Sequence, residues 1–228
     1  MARTNEYQHF CVVARSLEVI GEKWSLLIVR DLLRGPQRFS DLLRYMGNIT
    51  PKWLTLRLRD LEAAGIVERD SVPGRREVWY RLTPKGRDLA PVVRALAVWG
   101  AEHASRPPRE GERIFPEQVL AVVAVVLNER GVQPRVRVAW RFNFDERALL
   151  LAYRDERWRM TDDDSSTEAT LTIRLQARDW VEFLNAEGSR RDELAQRFTF
   201  EGSKEQRAEF QRLFRRPMRA RPAEPAPA

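Results

Sequence analysis

Through the first half of the chain, apolar residues recur every three to four positions, and a glycine or proline interrupts each run. Val12, Val13, Leu17 and Ile20 predict a short helix ending at Gly21. Trp24, Leu27, Ile28 and Leu32 repeat the helical spacing up to Gly35-Pro36, and Phe39, Leu42, Leu43 and Met46 repeat it up to Gly47. Thr50-Pro51 and Thr83-Pro84 each set a hydroxyl cap before a proline at the first helical position. They predict two further helices. The first runs to Gly65; the second is long, with Leu89, Val92, Val93, Leu96 and Trp99 on one stripe. Between them, Ile66–Arg69 and Val78–Leu82 are β-rich and flank Val72-Pro73-Gly74-Arg75-Arg76, which predicts a hairpin with an arginine tip. Four helices, a hairpin and a helix make the order of a winged helix-turn-helix domain, with Gly47-Asn48-Ile49 as the turn.

Ser105–Gly111 gathers two prolines and several charges and reads as a linker, after which the period changes. Phe115–Asn128 predicts an apolar helix. Val136, Val138, Trp140, Phe142 and Phe144 then alternate with more polar residues, as do Leu149, Leu151 and Tyr153, followed by Trp158 and Met160, and then Leu171, Ile173 and Leu175. This period of two predicts half-buried strands in an antiparallel meander, with turns at Asp145-Glu146 and Asp162-Asp163-Asp164. Helices are expected at Asp179–Asn185, Asp192–Arg197 and Lys204–Phe214, with a short strand at Phe198–Gly202 before the last. The fold class is therefore α+β. An N-terminal winged helix-turn-helix domain (1–104) is followed by a linker (105–112), a C-terminal α+β domain with an antiparallel sheet (113–216), and a Pro/Ala-rich tail (217–228) expected to be disordered.

Composition narrows the function classes. Cys11 is the only cysteine among 228 residues, so no intramolecular disulfide can form, and a reducing cytoplasm is the expected setting. With two histidines, His9 and His103, a structural zinc site lacks ligands, and no metal or cofactor is expected. The opening MARTNEYQHF has no apolar core, which predicts no secretory signal. Val119–Leu127, the longest apolar run, is too short to span a membrane. The formal charge is +7, with 40 basic against 33 acidic side chains, and only Lys23, Lys52, Lys85 and Lys204 are lysines. An arginine-rich surface suits phosphate partners, although a genome biased toward arginine codons gives the same composition. No nucleophile–base–acid set or phosphate loop stands out, so an enzyme is not expected.

The helix from Thr50 carries the candidate chemistry. Leu54, Leu58 and Leu61 share one narrow arc and belong to the core. Lys52, Leu56 and Arg59 point away from it, with Trp53, Thr55 and Arg57 on the flanks. Such a helix fits a major groove, where Lys or Arg can read guanine edges, while Arg75 and Arg76 can reach a neighbouring phosphate or minor groove. The same pattern also describes an ordinary solvated amphipathic helix.

Here several motifs in register carry a family resemblance. Cys11–Arg15, Val19-Ile20-Gly21-Glu22-Lys23-Trp24, Gly35–Leu42, Ile49–Val67 and Val78–Gly86 together resemble the HxlR-type transcriptional regulators over about residues 8 to 103. The resemblance implies a dimeric winged-helix protein that binds double-stranded DNA, with Thr50–Ala64 as recognition helix and the terminal helices building a homodimer. Thr50 stands where the family usually has serine, and Leu56 where it usually has a polar residue. Some members sense oxidants through an N-terminal cysteine, and Cys11 occupies the matching place. The plainer alternative is a small buried filler.

In the second half, Ala169–Ile173, Trp180, Leu184 and Phe198–Gly202 resemble the sterol-carrier-protein type of lipid-binding domain. That likeness implies an apolar cavity between sheet and helices, for a hydrophobic small-molecule effector, with Trp140, Phe142, Phe144, Tyr153, Trp158 and Trp180 as candidate lining. The same aromatics can equally fill a core. The expected function is a sequence-specific transcriptional regulator; the alternative is a lipid carrier whose basic half binds polyanions without sequence preference.

Overall fold

The computed structural model describes residues 7–71, 78–145, 147–163 and 166–218. The chain divides into two compact units, 1–94 and 95–228.

In the first unit, α1 (Val12–Ile20), α2 (Ser25–Leu32), α3 (Phe39–Tyr45) and α4 (Pro51–Ala63) follow one another, with β1 (Gln37–Arg38) between α2 and α3. The strands β2 (Val67–Ser71) and β3 (Val78–Leu82) form the expected hairpin, whose connecting segment, with Arg75 and Arg76, lies outside the described residues. β1 joins the free edge of β3, giving the sheet order β1-β3-β2. Ile28, Val29, Leu42, Leu54, Leu58, Leu61, Ile66 and Leu82 form the core, so the three leucines of α4 face inward as their spacing requires. Gly47 and Gly65, with φ of 71° and 68°, provide the left-handed stops after α3 and α4.

A fastening at the end of α4 sets the hairpin's root. Lys85 Nζ donates to Ala64 O at 2.8 Å, and Thr83 Oγ1 donates to Gly65 O at 2.6 Å while accepting from Gly86 N at 3.0 Å. These bonds satisfy carbonyls that a helix end leaves without partners. Gly86 is required there, since an added Cβ would stand 2.1 Å from Ile66 O.

The long helix expected from Thr83 is instead two. α5 (Pro84–Arg87) ends after one turn, and α6 (Ala90–His103) begins again. Pro91 supplies the break: it has no N–H to donate and its ring clashes with the carbonyl four residues back, at Arg87. The boundary between the units falls inside α6, upstream of the expected linker.

In the second unit, Ser105–Glu112 is not an open linker. Ser105 Oγ donates to Asn185 Oδ1 at 2.6 Å, and Arg106 forks onto Glu112 at 2.8 and 2.9 Å. The Arg106 guanidinium, together with the Arg109 amide, holds the Glu112 carboxyl down at about 2. α7 (Pro116–Glu129) leads into β4 (Ala139–Phe144), β5 (Arg147–Arg154) and β6 (Arg157–Asp162), then β7 (Leu171–Arg174), α8 (Ala177–Asn185), α9 (Gly188–Gln196), β8 (Thr199–Gly202) and α10 (Lys204–Leu213). The expected meander holds for β4, β5 and β6, which pair antiparallel in that order; a two-residue turn at Asp155-Glu156, both with positive φ, joins β5 to β6.

The wholly antiparallel sheet does not hold. The order is β6-β5-β4-β7-β8, and β7 pairs parallel to β4. The connection from β6 to β7 is held at its described residues. Arg141, on the opposite pleat from buried Trp140 and Phe142, grips it through Asp163 Oδ2 at 2.7 Å and Thr167 O at 3.0 Å. Ala139, Leu150 and Ala152 are buried as a small cluster on this outer pleat. The inner face carries the main core, with α7 against β5 and β6 and α10 against β8. Met218 is also buried, and its N–H donates to Leu184 O at 3.0 Å, so the Pro/Ala-rich tail starts pinned; residues 219–228 lie outside the described residues.

Candidate nucleic-acid interface

The capping of α4 follows its sequence. Thr50 Oγ1 accepts from Trp53 N at 3.3 Å and Pro51 fills the first helical position. Lys52, Trp53, Leu56 and Arg59 are exposed, with Trp53 at 52% and Leu56 at 42%. Two flanking residues behave differently. Thr55 is half-buried and donates its hydroxyl back to Pro51 O at 2.8 Å. Arg57 is turned inward: only 9% exposed, it pairs with Glu22 at 3.3 Å and Asp60 at 3.2 Å. Behind Arg59, burial raises the Tyr80 phenol above its ordinary value; Glu62 adds to the rise, and Arg69 and Arg59 oppose it.

The structure brings to the start of α4 residues that were not among the candidate contacts. A hollow of about 390 Å³ opens at the start of α4. Its walls include Lys23 and Trp24 from the entry to α2, Asn48 from the turn, and Thr50, Trp53 and Arg57. Trp24 has a left-handed backbone, φ 82°, which a bulky side chain rarely adopts. Lys23 Nζ lies 5.0 Å from the centre of its indole ring. Helical spacing marked Trp24 only as an apolar position at the start of α2, and it gave no signal for Lys23 or Asn48, which belong to connections and not to a periodic face.

Cys11 caps the start of α1, half-buried, with no side-chain capping bond.

In the second unit, five of the six aromatic lining candidates, Trp140, Phe142, Phe144, Trp158 and Trp180, are buried, and Tyr153 is half-buried against Trp158 with ring centres 5.3 Å apart. They pack against one another and against Phe210. Phe142 and Trp180 are 5.3 Å apart, Trp140 and Phe210 5.5 Å, and Trp140 and Trp158 6.2 Å. Trp140 Nε1 donates to Gln206 Oε1 at 2.9 Å, and Trp158 Nε1 to Val132 O at 2.6 Å. A separate hollow of about 370 Å³ lies on the helical side, with Phe183, Phe200, Phe210 and Phe214 in its walls beside Arg191 and Arg207. Arg191 is committed to the backbone, donating to Phe214 O, Phe183 O and Ala186 O, and burial pulls its guanidinium down to about 10.

Among the described residues, no helix is long and apolar enough to cross a membrane, and no cluster of three or more His, Cys, Asp or Glu could hold a metal ion.

A capped helix pair joined by a short turn, followed by a strand pair extending a small sheet, defines a winged helix-turn-helix DNA-binding regulator. Residues 19–108 match the family of HxlR-like helix-turn-helix proteins. The HTH-type transcriptional regulator YtcD of Bacillus subtilis is 41% identical over 111 residues, 47% of this chain and 86% of that protein. YkvN of the same organism is 42% identical over 107 residues, 45% of this chain and 89% of that one. The crystal structure of ytcD, 42% identical, aligns over 42% of this chain and 100% of its own with a TM-score of 0.40. The chain belongs to the HxlR-like helix-turn-helix family and is a DNA-binding transcriptional regulator.

Proposed function

We propose that the protein binds its operator as a homodimer, with α4 of each protomer in a major groove and Lys52, Leu56 and Arg59 at the base edges. The observation that carries this reading is the sidedness of α4: Leu54, Leu58 and Leu61 are buried, and Lys52, Trp53, Leu56 and Arg59 stand in solvent on the other side. Thr50 holds the helix start, and Arg57, tied to Glu22 and Asp60, braces the helix against the domain. Arg75 and Arg76 are assigned to a flanking phosphate or minor groove. The test uses a duplex recovered by selection from random DNA. Arg59→Ala should cost about 1–3 kcal/mol on that duplex and relax preference at one base pair. If Arg59→Ala and Lys52→Ala both leave its affinity intact, α4 is not the reading helix.

For the second unit we infer an apolar effector, in keeping with its sterol-carrier-like sequence pattern. The supporting observation is the hollow walled by Phe183, Phe200, Phe210 and Phe214, whose volume lies within the usual range for small-ligand sites. The site is thus assigned beside the packed aromatic centre and not within it. Native mass spectrometry after exposure to a cell lipid extract should detect an adduct on the parent that Phe200→Glu loses. A parent that retains no adduct removes the effector reading.

A further inference from the structure

We propose that the hollow at the start of α4 is the seat of one DNA backbone phosphate with its deoxyribose, held by Lys23, Trp24, Asn48 and Trp53. The inference rests on the reading of α4 as the DNA-facing helix and adds a second, sequence-blind contact to it.

Position is the first argument. The hollow shares Thr50 and Trp53 with the exposed face of α4, so a strand running past that face also passes the hollow. Its other walls come from the α2 entry and the turn, elements that border a recognition helix without entering the groove beside it.

Charge is the second. Glu22 also lines the hollow, but its carboxylate pairs with Arg57 at 3.3 Å, and Arg57 shares itself between Glu22 and Asp60. The Lys23 ammonium, 5.0 Å from the centre of the Trp24 ring, is the exposed cation in this lining, and the exposed Asn48 amide is a neutral donor beside it. A lysine is a point charge without a planar fork, suited to a phosphate and poorly suited to distinguishing base edges.

Shape is the third. Two indoles, Trp24 half-buried and Trp53 exposed, bound the hollow; Lys23 lies 5.0 Å from the first ring centre and Arg57 6.0 Å from the second, so a sugar seated there meets ring surface with a cation beside it. Trp24 packs against the core of the first unit and keeps a left-handed backbone, an unfavourable conformation of the kind that gathers at working sites.

The experiment measures affinity for the selected operator and for a scrambled duplex of the same length, between about 50 and about 200 mM salt. Lys23→Gln should weaken both duplexes by the same factor and flatten the slope of log affinity against log salt by about one per seat. Lys23→Arg should restore the slope. Trp24→Gly, which suits a left-handed backbone and removes the indole, should also weaken both duplexes alike while circular dichroism shows an intact fold. Arg59→Ala runs alongside and should weaken the operator far more than the scrambled duplex. If Lys23→Gln leaves slope and both affinities unchanged while Arg59→Ala still acts, the seat is wrong and the reading helix stands. If Lys23→Gln weakens the operator alone, Lys23 reads a base and the proposal also fails.

Discussion

Trp140 and Trp180 lie equally deep in the second unit, yet their indole N–H groups differ. Trp140 Nε1 donates to Gln206 Oε1, which also accepts from Thr170 Oγ1, and Gln206 Nε2 donates onward to Arg137 O. Among the described residues, Trp180 Nε1 finds no acceptor. The two indoles have the same volume, so replacing each by phenylalanine removes the same atoms. At the first site a made bond is also lost; at the second, only a buried polar group without a partner goes. Trp180→Phe should therefore be less destabilising than Trp140→Phe by about 1–3 kcal/mol, read from urea midpoints at unchanged slope. Equal midpoints would show that the Gln206 bond contributes nothing net. Arg57 makes a related point on α4. Its angle around the helix placed it on the flank of the DNA face, but Glu22, far away in sequence, draws it inward. Helical periodicity fixes direction and says nothing about which acid waits in that direction.

At the scale of elements, legibility followed local chemistry. The Thr50-Pro51 and Thr83-Pro84 caps and the Gly47 and Gly65 stops act within a few residues, and the helices they bound start and end where those residues direct. Pro91 was equally visible, but the apolar stripe from Leu89 to Trp99 continues past it, and periodicity outvoted a breaker that in fact ends α5. β1 is two residues long, too short for any alternation, and exists because it pairs with β3. The parallel pairing of β7 with β4 is non-local for the same reason. Leu171 and Ile173 alternate with polar residues in either direction of pairing, so strand character was readable and neighbour was not. The candidate site divides in the same way. The exposed face of α4 follows from helical geometry, whereas the hollow beside it depends on the meeting of two connections that no period links.

At the scale of the whole molecule, apolar surface points to self-association. α1 exposes Val12 at 71%, Val13 at 67% and Leu17, with Phe10 just before it at 83%; α6 exposes Val92, Leu96 and Trp99. None of the residues of α6 is buried within the single chain. Helices this apolar on their open sides mark interaction surfaces, and a two-fold pair covers the same patch on both copies. Trp99→Glu together with Leu96→Glu should shift the protein from dimer to monomer in sedimentation equilibrium. It should also weaken operator affinity, since one protomer then grips one half-site. A parent that sediments as a monomer rules out this arrangement.

The placement of α6 bears on how the molecule can be taken apart. One rod opens in the first compact unit and closes in the second, so a fragment ended at Arg94 retains only its opening turn and a fraction of the next. A stub of that length does not sustain its own backbone bonds in water. Any dissection that seeks a free-standing DNA-binding half must therefore carry Ala95–His103 with it, and the safe place to cut lies beyond the rod, not at the seam between the bodies.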